Sequence, residues 1–102
     1  MKSIHVIGAG IAGHEGFTPQ ALELIDRAEL LLGAERLLLL FPDYSGEKLV
    51  IGKKLAEVVS RIQKAEGRIV VLASGDPLFF GIGRYLLRNL PDELIEFLPN
   101  VT

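Results

Sequence analysis

The segment Arg68-Ile-Val-Val-Leu-Ala73 is a β-branched apolar run without hydrophobic–polar alternation. A strand with one wet face alternates, whereas a run of this kind needs cover on both faces, as in a parallel sheet flanked by helices. The residues after it fix the local chain path. Ser74-Gly75-Asp76-Pro77 turns the chain, with Asp76 placed to cap a helix and Pro77 to open it. That helix is predicted to run to Asn89 and stop before Pro91, with Leu78, Ile82, Tyr85 and Leu86 inward. Strand, tight turn and helix together leave backbone N–H groups at the end of a sheet, a common place to hold a ligand.

The rest of the chain supplies partners for such a strand. Ser3-Ile-His-Val-Ile-Gly8 reads as a first buried strand, with His5 a core or strand-face residue rather than a ligand. A glycine-rich turn, Gly8-Ala9-Gly10-Ile11-Ala12-Gly13, leads into a loop ending at Thr18-Pro19, an N-cap followed by proline at the first helical position. Ala21, Leu24, Ile25 and Ala28 then share one face, which predicts a helix over 19–28. Glu29-Leu-Leu-Leu-Gly33 reads as a second strand. Arg36-Leu-Leu-Leu-Leu-Phe41 has no period, and leucine's propensity favours a short helix there. Lys48-Leu-Val-Ile51 suits a minor extended piece, Leu55, Val58, Val59 and Ile62 define a helix over 53–66 stopped by Gly67, and Glu93-Leu-Ile-Glu-Phe-Leu98 a last strand. This order predicts an α/β fold, a three-layer αβα domain with a mainly parallel sheet and right-handed crossovers.

Composition removes several classes of function. At 102 residues, 49% apolar and 24% charged, the chain suits one domain or part of one. Its net charge of −2 comes from 11 basic and 13 acidic residues that are interspersed, so neither nucleic acid nor an anionic membrane is an expected partner. There is no cysteine, and His5 and His14 are too few for a zinc cage, so no metal site is expected. No apolar run approaches about 18 residues, and a cytoplasmic protein without export or membrane segment is the expectation. The chain ends directly after a strand, at Asn100-Val-Thr102, with no closing helix. A crevice needs walls from several elements, so a fragment, or the first half of a two-domain protein, is expected.

Two motifs carry functional signal. Gly8-x-Gly10-x-x-Gly13 after a strand formally matches the dinucleotide fingerprint, with Glu35 available as its acidic residue. In that fingerprint the helix opens within the glycines, which would bury Pro19 in its interior at about 3 kcal/mol and add about 1 kcal/mol for Gly16. A loop reaching the Thr18-Pro19 cap is cheaper, and a nicotinamide-binding Rossmann-like domain becomes the secondary reading, beside a tight turn with no ligand in a noncatalytic α/β module. For Ser74 to Pro77 the plain alternative is a capped helix. Gly81 and Gly83 inside that helix each cost about 1 kcal/mol relative to alanine, which close approach of a ligand, of another backbone or of a packed helix would explain. Phe79 and Phe80 are adjacent and point to different sides, so one can line a pocket while the other packs, or both can pack.

Val6-Ile-Gly-Ala-Gly10, Phe17-Thr-Pro-Gln-Ala-Leu22, Leu32-Gly-Ala-Glu-Arg36, Leu40-Phe-Pro42 and Leu72-Ala-Ser-Gly-Asp-Pro-Leu-Phe-Phe-Gly-Ile-Gly83 together resemble the tetrapyrrole methylase family. Within it the chain is most similar to the C5-methylating module of the precorrin-6Y C5,15-methyltransferase branch. The resemblance spans essentially the whole chain, and 74–83 is its most specific part. It implies the N-terminal half of a two-domain, homodimeric enzyme that uses S-adenosyl-L-methionine to methylate a precorrin or cobalt-precorrin at C5 in cobalamin biosynthesis. A companion module would carry out decarboxylation and C15 methylation. By the same resemblance Ser74, Gly75, Asp76, Leu78, Phe79 and Phe80 contact the cofactor, and Gly8, Ala9 and Gly10 lie beside the substrate trough. The family's first turn often carries a proline and an acidic residue after its second glycine; this chain has Ile11 and Ala12 there. No catalytic residue is assigned. Methyl transfer to an electron-rich ring carbon is an in-line displacement in which alignment alone can supply about 7–11 kcal/mol.

Overall fold

The computed structural model describes residues 2–9, 17–52, 54–74 and 77–98, with the backbone alone at 9, 74, 77–81 and 83. Five strands form one sheet in the order β3-β2-β4-β1-β5: β1 (Ser3–Ala9), β2 (Leu30–Gly33), β3 (Glu47–Val50), β4 (Arg68–Ser74) and β5 (Ile95–Leu98). Every pairing is parallel. Among the described residues the α-helices that connect them are α1 (Pro19–Arg27), α2 (Glu35–Leu38), α3 (Leu55–Lys64) and α4 (Pro77–Asn89).

Helices cover both faces, and the strand residues divide between them as the pleat requires. On one face Phe17, Ala21, Ile25, Leu37, Leu38 and Phe41, from α1, α2 and their flanks, pack on Ile7, Leu31, Val70 and Leu72. On the other, Val58, Val59 and Ile62 of α3 with Ile82 and Leu86 of α4 pack on Ile4, Val6, Leu30, Leu32, Ile69 and Val71. The unalternating run in β4 thus buries consecutive residues into two separate cores, as its sequence predicts. The three-layer αβα fold is present.

Local chemistry explains the element ends. The Thr18 hydroxyl accepts from the Ala21 N–H at 3.1 Å and Pro19 occupies the first turn of α1. Gly67 has φ +78°, the left-handed conformation that ends the approach to β4. Tyr44 donates its hydroxyl to the Ala28 carbonyl at 2.6 Å, tying the loop after α2 to the end of α1.

Two segments differ from the sequence reading. The piece expected to be a minor extension is β3, a full edge strand paired with β2. Only Leu49 of its four residues turns toward a core, so the apolar signal is weak by construction. Arg61 grips it from α3 through its pair of hydrogen bonds to the Glu47 carboxylate. The last strand starts at Ile95, not Glu93, because Asp92–Leu94 form a 3₁₀ turn behind Pro91. The short helix expected at Arg36–Phe41 is α2, ending at Leu38; Leu39 is 71% exposed, which accounts for an apolar run without a period.

His5 sits on β1 between Val70 of β4 and Glu96 of β5. Its Nδ1 lies 4.0 Å from a Glu96 carboxylate oxygen. Burial holds the imidazole below its ordinary pKa of 6.5; Glu96 opposes that shift and Arg68 adds to it. The unfolded chain therefore binds this proton more readily than the folded one, and stability that is complete above pH 6.5 is lost as the pH falls through that value. Glu96→Gln removes the opposing charge, so urea unfolding midpoints should fall more steeply on mild acidification in the variant than in the parent. Parallel pH profiles would remove His5 as the group responsible.

Candidate functional site

The sheet order creates the site. β1 hands the chain to α1 on one face, while its neighbour β4 hands it to α4 on the other. Between adjacent strands whose connections leave to opposite faces, the chain paths diverge and a crevice opens beyond the carboxyl ends of the strands. Register places the two sequence motifs there together, since Gly8 pairs with Ala73 and Ala9 with Ser74. The strand ends that lead into the two turns are thus neighbours, while the turns themselves lie outside the described residues.

Of the predicted site residues, Gly8, Ala9 and Ser74 meet at this crevice. Leu78, Phe79 and Phe80 belong to the first turns of α4, where only the backbone is described. Gly10, Gly75 and Asp76 lie outside the described residues, as does the cap expected from Asp76. The expected inward positions Ile82 and Leu86 are buried, and Tyr85 packs partly against the same core.

The topology also bears on the dinucleotide reading. α1 opens at Pro19 behind its Thr18 cap, well beyond the glycine motif. Glu35 follows β2, and β4 stands between β2 and β1. In the dinucleotide fold those two strands are neighbours, which is what brings the acidic residue to the ribose. Both facts count against a nicotinamide cofactor in this crevice.

Sequence reasoning missed a second wall. β2 also borders β4, and its helix α2 lies on the face opposite to α4, so the chain paths diverge on this side too. Gly33 closes β2 onto β4: a Cβ there would lie 3.1 Å from the Leu72 Cβ. Glu35 and Arg36 stand just past it, exposed. Strand order is a long-range property, and nothing near Arg36 in sequence announces β4 as a neighbour. Two described grooves, one between α1 and the loop at 40–44 and one between β3 and α3, lie away from the glycine turns. Among the described residues no group of His, Cys, Asp or Glu is placed to hold a metal ion.

Comparison with known proteins agrees with this geometry. The chain is 42% identical over 98 residues to the cobalt-precorrin-7 C(5)-methyltransferase of Salmonella typhimurium, a match covering 95% of this chain and 49% of the relative. It is 36% identical over 99 residues to a decarboxylating precorrin-6Y C(5,15)-methyltransferase of a Sinorhizobium species, covering 92% of this chain and 23% of the relative. Among solved structures, uroporphyrin-III C-methyltransferase from Thermus thermophilus complexed with S-adenosylhomocysteine superposes with TM-score 0.74 at 30% identity, over 98% of this chain and 45% of that one. A cobalt precorrin-4 methyltransferase gives TM-score 0.71 at 26% identity, over 98% of this chain and 46% of that one. The chain thus spans about half the length of the Salmonella relative, 49%. The family model for Tetrapyrrole (Corrin/Porphyrin) Methylases matches residues 3–102, and with that match the chain belongs to the tetrapyrrole methylases.

Proposed function

We propose that this chain forms one domain of an S-adenosyl-L-methionine-dependent methyltransferase of cobalamin biosynthesis that methylates C5 of a precorrin or cobalt-precorrin. The observation that carries the reading is the parallel pairing of Ala9 with Ser74 at a topological switch point, the strand ends from which the two glycine motifs continue in sequence. Membership of the methylase family and a relative named as a C(5)-methyltransferase support the reaction and its position. The half-length match to that relative supports a second domain that completes the cleft. The name of the precorrin-6Y relative, of which the chain covers 23%, supports a companion decarboxylating C15-methylating module. A cytoplasmic homodimer is part of the same reading; among the described residues no helix is long and apolar enough to cross a membrane.

The crevice fits the cofactor, because half-buried Gly8 and the paired strand ends bring main chain without bulky side chains to its floor. When bound, S-adenosyl-L-methionine supplies an electrophilic methyl group. In this assignment the backbone of Ser74, Gly75 and Asp76 orients the donor, Leu78, Phe79 and Phe80 exclude water from it, and Gly8, Ala9 and Gly10 let the edge of the macrocycle approach. The ring carbon is the nucleophile, so these residues act by alignment, a contribution of about 7–11 kcal/mol.

Calorimetry on the complete protein tests the assignment. S-adenosylhomocysteine should bind and NADH should not. Binding of NADH alone would establish the dinucleotide reading in its place, and failure of both would leave a noncatalytic module.

A further inference from the structure

β4 is bordered on both sides by strands whose helices leave to the opposite face, so the crevice has two flanks. The β1 flank carries the glycine turn. The β2 flank carries Gly33-Ala34-Glu35-Arg36, and its position is firmly set. Gly33 abuts Leu72, two residues before Ser74. Its carbonyl accepts from the Ile51 N–H at 2.8 Å, and the Ala34 carbonyl accepts from the N–H groups of Leu37 and Leu38 at 2.9 and 3.0 Å. Leu37 and Leu38 are buried, so the first turn of α2 is pinned to the core by one side and presents Glu35 and Arg36 on the other.

Arg36 differs from the arginines that the fold itself uses. Arg27 pairs with Glu23, and Arg61 with Glu47. Arg36 has no ion pair or hydrogen bond among the described residues and stands exposed. Arg84 and Arg88 are exposed too, but they lie farther along α4, which runs from the carboxyl ends of the strands back toward their amino ends. On the β2–β3 side of the rim Lys54 adds a second positive charge, 3.9 Å from Glu57.

We infer that Arg36, standing where β2 delivers the chain to the crevice rim, binds a peripheral carboxylate of the tetrapyrrole acceptor. This rests on the methylase reading. Biosynthetic tetrapyrroles carry acetate and propionate arms around an apolar ring, and a guanidinium matches a carboxylate with two parallel hydrogen bonds. An arginine that is exposed and has no ion pair among the described residues surrenders none of these when it takes up this one. Glu35 beside it repels anions, so the carboxylate is admitted at one point of the rim. The residue acts as a substrate-positioning group: it fixes the ring edge against the adjoining ends of β1 and β4.

The test uses the complete protein, with uroporphyrin as the tetrapyrrole probe and S-adenosylhomocysteine as the second ligand. Arg36→Gln leaves Glu35 in place and should weaken uroporphyrin binding by about tenfold or more, as expected for loss of a charged hydrogen-bonded contact. It should flatten the salt dependence of that binding and leave S-adenosylhomocysteine affinity and the melting temperature unchanged. Arg36→Lys should recover part of the loss. Unchanged uroporphyrin affinity in R36Q, with both ligands still bound, overturns the role of Arg36 and leaves the methylase reading standing. Equal weakening of both ligands also overturns it, since the variant would then have disturbed the crevice as a whole. If the unaltered protein binds neither ligand, the methylase reading fails and this inference fails with it.

Discussion

Leu86→Ala should destabilise the protein by about 2–5 kcal/mol, the range for emptying a fully buried leucine site. Leu86 has no exposed surface and lies in the core that joins α3 and α4 to Ile4, Val6 and Val71 in the central strands. Truncation there removes apolar contacts and leaves a void that close-packed neighbours fill only in part. A domain of this size loses about 4–8 °C of melting temperature per kcal/mol, and native stability is about 5–15 kcal/mol in all, so one substitution takes a large share. Leu87, the next residue, is 42% exposed, and its replacement by alanine should stay within about 0.5 kcal/mol. Urea unfolding of the pair checks this, with an unchanged slope expected in both. A loss below about 1 kcal/mol for L86A would mean that α4 is not held by this core. The link to function is direct, because α4 is the element into which the Ser74 turn feeds.

Elements specified by neighbouring residues were legible in the sequence. Thr18 and Pro19 mark the start of α1 through a hydrogen bond spanning three residues, and the β4 run declares two-sided burial by composition alone. β3 was nearly invisible because this edge strand turns one residue in four toward a core, and its pairing with β2 depends on a partner outside its own segment. The same limit applied to the site. Two glycine turns suggested a common crevice, but that Ala9 and Ser74 sit side by side follows from the insertion of β4 between β1 and β2, a choice made by packing. That insertion separates Glu35 from β1 and brings Arg36 to the rim. A motif reads its own strand and turn; it does not read which strand lies next to it.

Gly75→Val should reduce S-adenosylhomocysteine affinity of the complete protein about a hundredfold, which corresponds to about 2.7 kcal/mol, while leaving the melting temperature within a few degrees. Gly75 directly follows Ser74, the last residue of β4, whose partner across the strand pair is Ala9. A ligand held by main-chain N–H groups must come within hydrogen-bond distance of the backbone, and a β-branched side chain beside those groups blocks that approach. β4 ends at Ser74 and its buried residues precede the substituted position, so the core should hold. Gly75→Ala grades the effect, since one methyl group should weaken binding less than valine does. Unchanged affinity in both variants would show that the main chain at this turn does not contact the cofactor and would move the donor to another part of the rim. A loss of affinity that grows with side-chain size while uroporphyrin still binds separates the donor flank, set by Gly75, from the acceptor flank, set by Arg36. Gly75 follows β4 itself and Arg36 follows β2 beside it, so the two substitutions report on different parts of the rim.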